Sequence, residues 1–100
     1  MDKRNIRITT PANIGIILRH LRKESGFTQR DAAGLCNVSL PFLNQLEQGK
    51  STAQIGKVLE VCQRFGIEVI FRLPEEIDGA DEVVAEWFSS SLEYSKTDLM

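Results

Sequence analysis

Residues 28–50, TQRDAAGLCNVSLPFLNQLEQGK, read as two short helices separated by a tight turn, a helix-turn-helix. Thr28 offers a side-chain oxygen to cap the first helix, and Asp31 is spaced to reach back to its amide; Ser39 can cap the second in the same way. Asn37 falls where the chain must turn, and Asn tolerates left-handed backbone better than most residues. Pro41 lands in the first turn of the second helix, where a missing N–H costs nothing because that donor has no partner within the helix. Gly49 supplies a C-terminal stop. Gly34, inside the first of the two helices, costs about 1 kcal/mol relative to Ala.

Working outward toward the N-terminus, Thr10-Pro11 is a helix start, and Ile14, Ile17, Leu18 and Leu21 repeat at the spacing of one helical face. This predicts a first helix ending near Gly26, with Arg19, Arg22 and Lys23 off the apolar stripe. Residues 1–10, with Lys3, Arg4 and Arg7 among them, read as an N-terminal arm. Toward the C-terminus, Ile55, Val58, Leu59, Cys62 and Phe65 predict a broad apolar face on another helix, stopped by Gly66. Residues 11–66 thus form the predicted helix-turn-helix domain.

From Ile67 the period changes. Ile67, Val69, Phe71 and Leu73 alternate with Glu68, Ile70 and Arg72, a strand pattern over 67–73 closed by Pro74. A lone strand has nothing to pair with in its own subunit, so the expected solution is a two-fold dimer in which Ile67, Val69, Ile70, Phe71 and Leu73 meet their copies antiparallel. The fold class expected is mainly α: a compact four- to five-helix domain with one C-terminal β-strand pairing across a dimer. Residues 74–100 read as an acidic tail in which Val83, Val84, Trp87, Phe88 and Leu92 have the spacing of an amphipathic helix. Trp and Phe side by side are rare in solvated tails and suit a docking segment.

One hundred residues with 42% hydrophobic content suit a single small domain. The apolar runs are too short to span a bilayer, and no secretory segment follows Met1, so a cytoplasmic location is expected. Cys36 and Cys62 lack metal-ligand or redox spacing and read as reduced, packed thiols. No cofactor or metal is expected. An enzyme has almost no support: His20 is the single histidine and lies among basic residues, and Ser89 to Ser91 have no base beside them.

The net charge of −2 conceals an asymmetry. Residues 1–73 hold eleven Lys or Arg against six Asp or Glu, whereas residues 74–100 hold one against eight. The basic part suits a polyanion, and the acidic part would repel one. In a helix laid in the major groove of double-stranded DNA, the first turns face base edges. Leu43 and Leu46 occupy the packing face, leaving Ser39, Leu40, Pro41, Asn44 and Gln45 outward. Asn and Gln can read adenine bidentately, while Leu40 and Pro41 offer apolar contact. Gln29, Lys50 and Ser51 are the expected phosphate clamps.

Phe27-Thr28-Gln29, Val38-Ser39 and above all the run from Leu43 to Lys50, LNQLEQGK, resemble the helix-turn-helix of phage-repressor and Cro-like (XRE) proteins over about residues 11–66. The sequel from Ser51 to Leu59, leading into one terminal strand, resembles more narrowly the HipB-type antitoxins. That resemblance implies a dimeric autorepressor of a toxin-antitoxin operon that binds operator DNA and a HipA-like kinase toxin, with Trp87 and Phe88 as a toxin anchor. It also implies DNA-reading roles for Ser39, Leu40, Pro41, Asn44 and Gln45, and an ion pair between Glu47 and a helix-one arginine, for which Arg22 has the fitting position. The competing reading is a stand-alone phage-type repressor whose tail is merely solvated.

Overall fold

The structure, a computed structural model, describes residues 3–74, 82 and 84–87. Within residues 3–74, four helices run in the order α1 (Pro11–Glu24), α2 (Gln29–Leu35), α3 (Leu40–Glu47) and α4 (Ile55–Arg64). Their starts are written locally. Thr10 and Asn13 form a reciprocal capping box on α1, and Thr28 and Asp31 form one on α2. Ser39 Oγ accepts from the Phe42 amide at 3.1 Å to cap α3.

The ends follow one device: the residue after each C-cap is left-handed, at Gly26, Asn37, Gly49 and Gly66. At Asn37 (φ 58°) the amide donates to Gly34 O at 3.2 Å and that of Val38 to Ala33 O at 3.0 Å, the paired bonds of a Schellman motif. Asn37 thereby does a glycine's work, as expected, and Ser39 begins the next helix at once. Gly49 (φ 86°) repeats the arrangement at the end of α3, swinging Lys50 back so that its amide donates to Gln45 O at 3.0 Å.

Both α1 and α2 pack against α3. The core is Leu18, Ala32, Ala33, Cys36, Leu43, Leu46, Val58, Val61 and Cys62, with Ile14, Val38, Phe42, Phe65 and Ile67 partly buried around it. The α1 stripe is as expected, with Leu18 as its buried centre. On α4 the buried set is rotated from the expected one: Val58, Val61 and Cys62 are inside, whereas Ile55 is 68% and Leu59 44% exposed. That segment carries more apolar residues than one face can hold, and the face chosen, 58–61–62–65, has the tighter helical spacing. Cys36 and Cys62 are free, buried thiols whose pKa values burial pushes up, which keeps them protonated and apolar.

The described residues contain no strand. Residues 67–73 make no ladder with other described residues. Ile67 is half-buried, its amide donating to Cys62 O at 2.9 Å, while Val69, Ile70, Phe71 and Leu73 are exposed. Residues up to Ile70 and those from Phe71 onward form two separate units. In the second, residues 82 and 84–87 are helical and Trp87 is 70% exposed; Val83, Phe88 and Leu92 lie outside the described residues. No helix among them is long and apolar enough to cross a membrane.

Candidate nucleic-acid interface

Two glycines let α1 cross close to α3. A Cβ on Gly15 would stand 2.5 Å from Leu46 O and 2.6 Å from Glu47 O, and one on Gly49 would stand 2.8 Å from the Ala12 Cα. Only backbone without a side chain fits there. This approach sets Arg22 of α1 against Glu47 of α3. Arg22 Nε donates to Glu47 Oε2 at 2.7 Å, Nη2 donates to Oε1 at 3.0 Å, and Nη1 donates to Phe27 O at 2.8 Å. One guanidinium therefore ties α1, the loop before α2 and the last turn of α3 together, the pairing that the resemblance implied.

Burial alone would push the Glu47 carboxyl up, but the bonds from Arg22 and Gln29 and the charges of Arg22 and Arg19 together hold it below the usual range. The pair is thus an ionised one, and the Arg22 guanidinium, bonded to Glu47, is raised further above its ordinary value.

The ion pair floors an open polar cleft of about 220 Å³ lined by Arg19, Arg22, Gln29, Asn44, Glu47 and Gln48. Gln29, the first residue of α2, donates from Nε2 to Glu47 Oε1 at 2.9 Å and to Asn44 Oδ1 at 3.3 Å. Gln48 donates to the same Asn44 oxygen at 3.3 Å. Gln48 was not picked out from the sequence as a site residue, and Arg19 only as one of the α1 cations off the apolar stripe, free to face solvent or phosphate. Their signal was helical spacing, Arg19 one turn before Arg22 and Gln48 one turn after Asn44.

The expected reading set divides in the structure. Ser39, Pro41 and Gln45 are exposed along α3, whereas Leu40 and Asn44 are half-buried. Gln45 Oε1 accepts from Lys50 Nζ at 2.9 Å. Ser51 is exposed in the turn that follows. Gln29 and Asn44 are brought together, as are Lys50 and Gln45; Ser39, Leu40 and Pro41 share the start of α3. Phe42, in the first turn of that helix, lies under Lys57 Nζ, 5.6 Å from the ring centroid. The described residues hold no cluster of His, Cys, Asp or Glu able to bind a metal ion.

Two helices joined through a left-handed Asn, the second braced by a buried ion pair to a preceding helix, define the class of this protein. It belongs to the helix-turn-helix domain family, which matches residues 13–69. Over 70 residues it is 49% identical to the uncharacterized HTH-type transcriptional regulator y4mF of Sinorhizobium fredii, spanning 70% of this chain and 92% of that protein. It is 35% identical over 52 residues to the HTH-type transcriptional regulator DdrOP3 of Deinococcus deserti, spanning 52% of this chain but 40% of that longer protein. Among solved structures, a HipB–O2 20mer complex superposes with a TM-score of 0.63 at 13% identity, covering 71% of this chain and 99% of that one. A HipA–HipB–O2–O3 complex superposes equally, with a TM-score of 0.63 at 13% identity over 71% of this chain and 100% of that one. At such identity the likeness is one of fold.

Proposed function

We propose that this chain is a DNA-binding transcriptional regulator, and more narrowly an antitoxin that represses its own toxin-antitoxin operon as a dimer and binds a HipA-like kinase toxin. The observation that carries the DNA reading is the placement of α3: its last turn is fixed from beneath by Arg22, while Ser39, Pro41 and Gln45 remain exposed along it. A rigid helix with an uncovered polar edge is what entry into a major groove requires. Residues 11–66 are the DNA-binding domain. Ser39, Leu40, Pro41, Asn44 and Gln45 meet base edges, and Gln29, Lys50 and Ser51 hold the backbone.

Residues 67–73 pair with those of a second copy through Ile67, Val69, Ile70, Phe71 and Leu73. The exposure of Ile70 (74%) and Phe71 (88%) in the single chain supports that reading, because apolar side chains uncovered in succession are costly in water. The toxin contact falls in residues 74–100, at Trp87 and Phe88. The structural neighbours in which HipB is joined to DNA and to HipA support this narrower reading.

The test is twofold. Binding of the purified chain to DNA from upstream of its own gene should weaken steeply with salt as counterions are released, and co-expression with the product of the adjoining gene should yield a complex. Flat salt dependence would overturn the DNA reading. Operator binding without any toxin complex would leave a stand-alone repressor of phage type.

A further inference from the structure

The two amides at the centre of α3 are wired with one polarity, and the wiring starts at the buried ion pair. Glu47 is an ionised carboxylate and can only accept. Gln29 must therefore turn its amide nitrogen toward it, and that same nitrogen faces Asn44, which is obliged to present its oxygen inward. Gln48 donates to that oxygen as well. Both lone pairs of Asn44 Oδ1 are thus occupied, and its free end is the NH2. At Gln45 a second anchor acts. The left-handed turn at Gly49 brings Lys50 over the helix end, where its amide bonds Gln45 O at 3.0 Å and its ammonium bonds Gln45 Oε1 at 2.9 Å. An ammonium has only donors, so Gln45 too is left with its NH2 outward.

We infer that α3 presents the amide NH2 groups of Asn44 and Gln45 outward, and that the base it selects is guanine, with Lys50 and Gln29 acting as positioning residues that impose this choice. The inference rests on the reading above that α3 faces DNA, and it replaces the adenine expected from the residue types alone. Bidentate recognition of adenine needs both ends of an amide, its nitrogen on N7 and its oxygen on the N6 amino group. Here Gln45 Oε1 already accepts from the Lys50 ammonium at 2.9 Å, so an adenine N6 amino group would have to compete with that donor for the same oxygen. Guanine offers O6 and N7, two acceptors side by side, to the outward NH2 of Gln45, which Lys50 holds in place from its oxygen side. The carbonyl-out form of Gln45 becomes accessible once the ammonium is removed.

The experiment is selection of sites from a random duplex library by the full-length protein and by Lys50→Met, with Gln45→Ala identifying the base position that Gln45 reads. Lys50 is exposed, so the variant keeps the fold. The wild type should select guanine at the Gln45-dependent position, and 7-deazaguanine there should weaken binding about tenfold, within the range of one good base contact. Lys50→Met should move the preference at that position to adenine and leave the other positions unchanged. Adenine in the wild-type site, or a uniform loss of affinity in Lys50→Met with guanine retained, would overturn the inference. A library that yields no motif for the wild type would overturn the DNA reading beneath it, and this inference along with it.

Discussion

Arg22 and Glu47 meet through two parallel bonds, Nε to Oε2 at 2.7 Å and Nη2 to Oε1 at 3.0 Å, with each residue only 8% exposed. Desolvating two charges is costly, and the pair is tolerable because the guanidinium's remaining bond goes to Phe27 O and the carboxylate's to Gln29. Removing one partner strands the other. Arg22→Ala or Glu47→Ala should each destabilise the domain by about 3–5 kcal/mol, whereas Arg22→Met combined with Glu47→Leu should cost much less than the two single losses together. Urea unfolding of the four proteins checks this; additive losses would show that the two charges are not coupled.

The same pair sets an acid limit. A carboxyl whose pKa is lower in the folded chain than in the unfolded one contributes stability that is complete above the unfolded value of about 4.3 and fades as pH falls through the folded value. Glu47 is such a group, its pKa held down against burial by Arg22 and Gln29. Melting temperature should therefore fall below about pH 4 in the wild type. The fall should be shallower in the Arg22→Met/Glu47→Leu protein, in which the group no longer titrates; equal slopes would place the acid sensitivity elsewhere.

One substitution should act with opposite signs at two helical glycines. At Gly34 a Cβ would meet nothing within 4 Å, so Gly34→Ala should stabilise the domain by about 0.5–1 kcal/mol through helix propensity. At Gly15 the same atom would press on the carbonyls of Leu46 and Glu47, backbone that cannot turn aside. Gly15→Ala should lower stability by at least about 1–3 kcal/mol, the usual range for overpacking. Thermal melts that moved the same way in both variants would contradict the close α1–α3 crossing.

These contrasts mark what the sequence made legible. Thr10, Thr28, Ser39 and Asn37 could be read because a cap acts over three or four residues, and all four do in the structure what their spacing implied. Gly15 could not, since its meaning lies in an approach to carbonyls some thirty residues away. The face of α4 was misjudged because its apolar residues outnumber one face, and only packing decides between Leu59 and Val61. The Arg22–Glu47 pair was foreseen through family resemblance, spacing along the chain being silent about it. Residue type alone suggested adenine for Asn44 and Gln45; the direction in which each amide points is set by Gln29 across the packed helices and by Gln48 and Lys50 at the end of α3 itself, and residue type is silent about such bonds.

Phe71, 88% exposed, and Val69, 51% exposed, provide the test of how two reading heads are joined. Their alternation within 67–73 places both on one side of a strand, and a strand gains its stability from a neighbour, here a second copy. Val69→Asp with Phe71→Asp sets like charges across that pairing, which is destabilising where they stand opposite one another. The variant should remain folded, because neither residue belongs to the core around Leu18, Leu43 and Val61, and it should sediment as a monomer at micromolar concentration where the wild type sediments as a dimer. Operator binding should weaken in step, since two half-sites about one DNA turn apart call for two linked copies. A variant that stayed dimeric would move the interface to another surface, and the exposed Ile55 and Leu59 of α4 would be the next to substitute.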